Sequence, residues 1–552
     1  MFPARFRIAH VAIRHDHDGV LAALRSAAIL GIDATSITVE VNVSQGLPLW
    51  TIVGLADSVV KESKERVVAA LRECGFRIPS LRVLAALAPA DIRKIGNGYD
   101  LPIALGFLVA TRQLRPDAVS NLIAIGELGL DGSLRPVRGT LSVARIMAAS
   151  ADSATLLLPP ANVAEAALVP GVRLATARSL RELVSALERG PLAEAHPAPG
   201  VAPMIPEIPD FADVVGQPAA KRALLIAAAG GHNVAMTGPP GTGKTMLARR
   251  LPGIMPPLTD AQLLDVVAVH SIAGTLSDAQ LHGRLAPFRA PHHTVSTAGL
   301  IGGGSGPRPG EVSLAHGGVL FLDELPELSA TALEALRQPL EDRVVTIARV
   351  AGSLRFPSAV LLVVAMNPCP CGFASHATIA CQCDERALSR YRRRLSGPLA
   401  DRIDMHITVG SVPIADLDPT LRPPESATMR ERVTAARTRQ LCRFDALNSA
   451  VSPRLLTTLG NFDGAALTLL RSASEQLGLS ARAWHRTLRV ARTIADLAGD
   501  HGVGAAAVAE ALRYRRASPT GIVPARDREL ARPEPRDPTH SGAPAERGQH
   551  GA

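Results

Sequence analysis

The 552-residue chain has few aromatic residues, only 3%. That excludes a protein whose main device is the stacking of many rings on bases or sugars. No apolar run reaches the roughly 18 residues needed to cross a bilayer; the longest near-candidate, Ala359 to Met366, has the length of a strand. Met1 to Val20 mixes Arg, His and Asp without a continuous apolar core, so it does not read as a secretory signal. Cysteine is scarce too: there are six, and four of them crowd between Cys369 and Cys383. This distribution predicts reduced thiols or a metal site in a cytoplasmic protein with no membrane partner, not a disulfide framework.

What is present is ordinary for a globular protein, with 47% hydrophobic and 20% charged residues. The length allows about three to four domains. A formal charge of +9 permits a polyanionic partner such as DNA without requiring one.

The most specific stretch is Gly238-Pro239-Pro240-Gly241-Thr242-Gly243-Lys244-Thr245. It fits the phosphate-loop pattern G-x-x-x-x-G-K-[ST], which chance places at only about four positions in a hundred thousand. An apolar run, Asn233 to Met236, precedes it, and Met246 to Arg250 continues it in a helical pattern. A strand, a tight turn and a helix start aim backbone N–H groups and the helix dipole at phosphates. Lys244 adds a point charge and Thr245 a hydroxyl for Mg²⁺, so ATP with Mg²⁺ is the expected ligand.

Further along, Gly318-Val319-Leu320-Phe321-Leu322-Asp323-Glu324 reads as a buried parallel strand that delivers two carboxylates to the ligand crevice of an open α/β sheet. Asp323 is the expected Mg²⁺ partner and Glu324 the group that polarises the attacking water. A third strand, Ala359 to Met366, ends at Asn367, whose amide is placed to orient that water.

Before the loop, Ile37, Val39, Val41 and Val43 alternate with polar residues as in a half-buried strand. Val59, Val60, Ser63, Val67 and Leu71 follow at helical spacing, and strand and helix patterns alternate to about Leu187. Residues 190–209 are rich in Pro and Ala and read as a linker. Glu341 to Phe356 reads as a hairpin, and helical patterns such as Leu488, Val490, Ala491, Ile494 and Leu497 dominate from Ile414 to Arg516. Beyond Pro519 apolar groups are too few to fold, which predicts a disordered tail.

Cys369-x-Cys371 and Cys381-x-Cys383 could enclose Zn²⁺, although one residue within each pair is fewer than the usual two to four; reduced thiols packed in an insertion are the alternative. Arg386, Arg390, Arg392, Arg393 and Arg394 follow at once, as phosphate grips or as a solvated face.

From residue 21 to 516 the chain resembles the YifB/ComM family of magnesium-chelatase-like AAA+ proteins. The likeness rests on Thr51 to Leu55, Val60 to Val67, Asp100 to Leu105, Phe288 to Ser296 with Gly299 to Gly304, and the Cys-Pro-Cys-Gly run. It implies a Lon-protease-like α/β domain over 21–189 behind an extension, 1–20. A P-loop AAA+ αβα core with a helix-2 insert would fill 210–412, and a C-terminal helical lid 413–518, before the tail, 519–552.

In Lon-type proteases a Ser–Lys dyad does the chemistry. By the resemblance their places are taken here by Asp100 and Leu141, so no peptidase is expected. By the same resemblance Val214, Val215 and Gly216 are adenine contacts, with core packing the alternative. Arg402 in Leu399 to Asp404 is implied as an arginine finger reaching a neighbouring subunit, and Arg482 in Ser480 to Ala483 as a sensor 2 contact to the γ-phosphate. His292 and His293 are expected on a loop facing a ring's pore, with a metal site the competing reading. The resemblance implies an ATP-driven, hexameric homo-oligomeric ring acting on single-stranded or branched DNA as a branch-migration helicase. A motor for metal insertion into porphyrin and a remodeller of protein partners are the alternatives.

Overall fold

The computed structural model describes residues 14–16, 19–150, 152–197, 207–304, 308–349, 352–374, 379–395, 399, 402–412 and 425–516. The tail expected at 519–552, residues 198–206 of the expected linker and the first part of the expected lid lie outside the described residues.

The first unit is built on one mixed sheet. Its centre is a long antiparallel pair, β1 (Gly19–Leu30) and β2 (Asp33–Ser44), in register from Gly19 opposite Ser44 to Leu30 opposite Asp33. The alternation in β2 has its expected cause, since Ile37, Val39, Val41 and Val43 are buried and their neighbours are not. Around this pair stand β3 (Leu49–Val53), β4 (Arg82–Ala88), β5 (Leu122–Ala124), β6 (Thr155–Leu158) and β7 (Arg173–Thr176), in the order β7-β6-β5-β1-β2-β4-β3. A short strand, Arg14–Asp16, pairs with β1, so the sheet begins inside the segment expected as an extension. Helices α1 (Ser58–Glu73), α2 (Asp100–Ala110), α3 (Thr140–Ala149) and α4 (Leu180–Arg189) cover it. α2 is buried along its whole length, as its uniformly apolar sequence requires.

The second unit opens with α5 (Pro218–Gly230) and carries a wholly parallel sheet. Its strands are β8 (Val234–Thr237), β9 (Phe288–Arg289), β10 (Val319–Leu322), then β13 (Leu361–Met366) and β14 (Met405–Thr408), in the order β9-β10-β13-β8-β14. Between β10 and β13 the chain forms a hairpin, β11 (Val344–Arg349) with β12 (Gly352–Pro357). The interior strands are continuous apolar runs because helices cover both faces. Parallel strands bring the ends Thr237, Leu322 and Met366 to one edge. There the phosphate helix α6 (Lys244–Arg249) starts.

Helix α7 (Asp260–Ala273) joins the two units. Its Leu263, Val266 and Val267 share one apolar core with Leu141, Val143 and Ala144 of α3. The Gly139 N–H donates to Ser271 Oγ at 2.8 Å, and Arg145 pairs with Asp265 at 2.9 Å. Beside this seam Leu354 of β12 lines a cavity of about 460 Å³ together with Ile29 and Ile272. One side of the hairpin is therefore used inside the chain.

Helices α8 (Glu385–Leu395), α9 (Ser426–Phe444), α10 (Gly464–Leu477), α11 (Ala481–Ala498) and α12 (Ala505–Arg516) complete the molecule. α11 buries Leu488, Val490, Ala491 and Ile494 in the core shared with β8 and β14, while Leu497 is only half-buried. No helix among the described residues is long and apolar enough to cross a membrane.

Candidate active site

The phosphate loop leaves β8 and turns into α6. A Cβ at Gly238 would fall 2.1 Å from the Val409 carbonyl oxygen, so only glycine fits this crossing. Gly243, at φ +85°, supplies the left-handed residue that starts the helix. Thr242 Oγ1 donates to the Pro239 carbonyl at 2.9 Å and braces the turn.

Lys244 is buried, and its ammonium donates to the Gly238 and Pro239 carbonyls at 2.7 and 2.9 Å and to Asn367 Oδ1 at 3.3 Å. Burial pulls its pKa down, with Asp323 opposing. Thr245 Oγ1 donates to Asp323 Oδ2 at 2.8 Å. That hydroxyl and carboxylate are the hard oxygen donors that Mg²⁺ prefers. The structure thus gathers Lys244, Thr245, Asp323 and Asn367, from three separate strand ends, into one cluster.

Glu324 follows in a left-handed backbone conformation, φ 49°, which is uncommon for a residue with a Cβ. Its Oε2 lies 2.9 Å from His293 Nδ1. The motif reading missed this contact. The signal lay in strand register: β9 pairs with β10 so that Arg289 opposes Leu320, and four residues further along the chain from each, beyond the strand ends, stand His293 and Glu324.

Val214, Val215 and Gly216 run beside the segment that follows β14. Gln217 Nε2 donates to the Gly410 carbonyl at 2.5 Å, and a Cβ at Gly216 would lie 3.6 Å from Val412. The same segment, at Val409, touches the phosphate loop. Val214 is a core residue, Val215 is half-buried and Gly216 is exposed.

Arg402 and Arg482 lie elsewhere. The Arg402 carbonyl accepts from Asn233 Nδ2 at 3.0 Å, at the start of β8, the end of the sheet remote from the phosphate loop. Its buried guanidinium pairs with Glu341 and holds that carboxyl below its usual range. Arg482 shares with it a cavity of about 530 Å³, along with Arg343, Arg486 and Arg489. Arg402, expected as an arginine finger, and Arg482, expected as a sensor 2 contact, thus line one cavity.

The four thiols of the cluster converge: the Sγ atoms of Cys369, Cys371, Cys381 and Cys383 all lie within 4.8 Å of one another. Cys371 N–H donates to Cys383 Sγ at 3.3 Å and Ala374 N–H to Cys369 Sγ at 3.2 Å. Backbone donors, that of Phe373 first, lower the Cys371 thiol to about 6, while burial raises Cys369 to about 12. A compact set of four sulfurs suits a tetrahedral zinc ion. This knuckle abuts the nucleotide site, since a Cβ at Gly372 would come within 2.7 Å of Pro240 Cδ. Tyr391 of α8 donates to the Asn367 carbonyl at 2.9 Å from the other side.

In the first unit Asp100, expected from the resemblance to stand in the place of a nucleophile, is sealed. Asp100 is fully buried, and its carboxylate accepts from Arg66 Nε at 2.7 Å, Arg66 Nη2 at 3.0 Å and the Leu128 N–H at 3.2 Å. Leu141, also buried, offers an alkyl group where a base would be needed.

Three family profiles match along the chain: "Subunit ChlI of Mg-chelatase" over residues 39–162, "Magnesium chelatase, subunit ChlI" over 210–417 and its C-terminal counterpart over 424–515. Competence protein ComM of Haemophilus influenzae is 41% identical over 503 residues, 90% of this chain and 97% of that one. The uncharacterized protein YifB of Escherichia coli is 40% identical over 498 residues, with the same coverage. Lon protease 2 of Bacillus subtilis is 33% identical over 139 residues, a quarter of its own length (25%).

Proposed function

Because the chain belongs to the magnesium-chelatase-like YifB/ComM family, we propose that it is an ATP-hydrolysing ring motor that moves on branched or single-stranded DNA. The observation that carries this reading is the split of the site between opposite ends of one sheet. Lys244, Thr245, Asp323 and Asn367 form the phosphate half. The arginines around Arg402 form a half with no phosphate loop beside it. Burial lowers the pKa of Arg489, Asp404 opposes it, and Arg486 and Arg343 lower it further; such a group of guanidiniums suits the phosphates of a neighbouring subunit's nucleotide. A hexameric ring closes both halves.

In that assembly Lys244 and the loop N–H groups hold the β- and γ-phosphates, and Val214 to Gly216 flank the adenine. Thr245 and Asp323 would hold Mg²⁺, which would supply positive charge to the phosphates. Glu324 accepts the proton of the attacking water while Asn367 orients it. Arg402 and Arg482 act on the neighbour's transferring phosphoryl group. The lid arginine then serves the adjacent subunit rather than its own. The Cys knuckle would hold zinc as a structural ion beside Pro240. The name of the relative ComM, a competence protein, fits a DNA substrate; the proposed place of action is the cytoplasm.

The test is the ATPase rate with and without single-stranded, duplex and four-way-junction DNA, beside Glu324→Gln, on protein whose zinc content is measured. DNA stimulation that disappears in the variant is expected. A steady rate indifferent to every DNA form overturns the DNA reading and favours a protein or tetrapyrrole partner; protein free of zinc overturns the knuckle assignment.

A further inference from the structure

The cavity beside the seam between the two units takes no part in the proposed reaction. Its sides are apolar, with Ile29 and Ile95 from the first unit, Ile272 from α7 and Leu354 from the hairpin, so it exists only where all three meet. Ile95 is 39% exposed, and apolar surface therefore faces solvent there. At about 460 Å³ the space is of a size that holds a small molecule.

The same cavity carries two guanidinium groups from opposite sides of the seam. Arg138 precedes α3, and Arg308 stands on the short ladder of Gly302–Gly303 with Arg308–Pro309. Arg138 is laid against the end of α7: a Cβ at Gly274 would fall 2.7 Å from its Cζ, and this glycine, at φ +75°, leaves the room. Among the described residues neither arginine has a carboxylate within ion-pair distance. They act on each other instead, and partial burial first and then Arg308 lower the Arg138 pKa. The one carboxylate in the lining, Asp57, is engaged as the cap of α1, accepting from the Val60 N–H at 2.8 Å. Two like charges at an apolar cavity, with the nearest acid committed elsewhere, are complementary to an anion.

We propose that this cavity is a binding site for a small amphipathic anion, its carboxylate or phosphate held between Arg138 and Arg308 and its apolar body lying along Ile29, Ile95, Ile272 and Leu354. The planar guanidinium fork matches either oxyanion. The apolar walls favour a ligand with a hydrocarbon body over a bare inorganic ion. The site stands independently of the ATPase reading. A ligand here bridges both units and the hairpin, which makes the seam a point of regulation separate from the nucleotide.

Calorimetric titration of the full-length chain with decanoate, decyl phosphate and neutral decanol, each below its aggregation concentration, tests it. An anion binds at one site per chain, and decanol binds about tenfold more weakly or worse, the worth of charge-assisted hydrogen bonds to the head group. Decanoate alone identifies a carboxylate ligand and decyl phosphate alone a phosphomonoester; either result, or both together, supports the site. Arg138→Gln/Arg308→Gln, at two exposed positions, brings the anions down to the affinity of decanol and leaves decanol itself unchanged. Ile95→Glu sets a negative charge in the apolar wall and weakens the anions as well, which keeps the test open should the double variant not fold. Saturating anion raises the melting temperature of the wild type and not of the variants. Decanol binding as tightly as the anions, a double variant that keeps its anion affinity, or no saturable binding by either anion overturns the proposal. So does single-stranded DNA that displaces the bound anion in direct competition, which assigns the two guanidinium groups to a nucleic acid instead.

Discussion

The two α/β units use the same local construction, a helix whose first residues stand at a strand end, with opposite outcomes. At the start of α2 in the first unit, Asp100 is fully buried and its oxygens are consumed by Arg66 and the Leu128 N–H. At the start of α6 in the second, Lys244 is held only by carbonyls and an amide, and Thr245 and Asp323 have each other. The first arrangement is complete without a ligand; the second is a set of donors and acceptors suited to an anion and a cation. A helix start becomes a site when its partners are exchangeable, and becomes structure when they are charged, paired and buried.

The sharpest way to break the comparison is to remove one partner from each. Arg402→Ala should lower ATP turnover by about 10³-fold while leaving the fold intact. Mixing it with Lys244→Ala subunits should recover activity, because each supplies the half the other lacks. Recovery absent at every mixing ratio would place Arg402 outside the neighbour's site. Arg66→Ala should do the reverse, leaving a buried carboxylate unpaired at a cost of about 3–5 kcal/mol. Thermal melting should register that loss, with the turnover per folded molecule unchanged.

A smaller effect sharpens the contrast by pH. Burial lowers His232, His270 and His406 of the second unit to about 4. A histidine with a depressed folded pKa contributes stability above its unfolded value, near 6.5, that is lost as pH falls toward 4. In the first unit burial raises Glu165. The folded state there binds protons more readily, so its cost shrinks as pH falls. Melting followed between pH 7 and 4.5 should show the second unit weakening first; a first unit that melts earlier would contradict this.

Local chemistry was legible in the sequence. Lys244, Thr245, Asp323, Glu324 and Asn367 were readable because each sits at a strand end within a short motif, and the four cysteines because they are close in the chain. The His293 contact was not legible as a motif, since it depends on which strand lies beside β10. The shared place of Arg402 and Arg482 was hidden for a similar reason, because it depends on where α11 docks on the sheet. The alternation in β2 announced a strand, but nothing local announced that Asp100 would be sealed by an arginine from α1.

The seam between α3 and α7 carries a consequence for the evolution and engineering of the chain. Leu263, Val266 and Val267 belong to the second unit by sequence and to the first by packing, and the Gly139–Ser271 and Arg145–Asp265 contacts cross the same boundary. A cut in the 190–209 connection should therefore leave two fragments that travel together. A front unit borrowed from a relative would fit only against a matching α7 face, so the 190–209 connection does not by itself bound the exchangeable module.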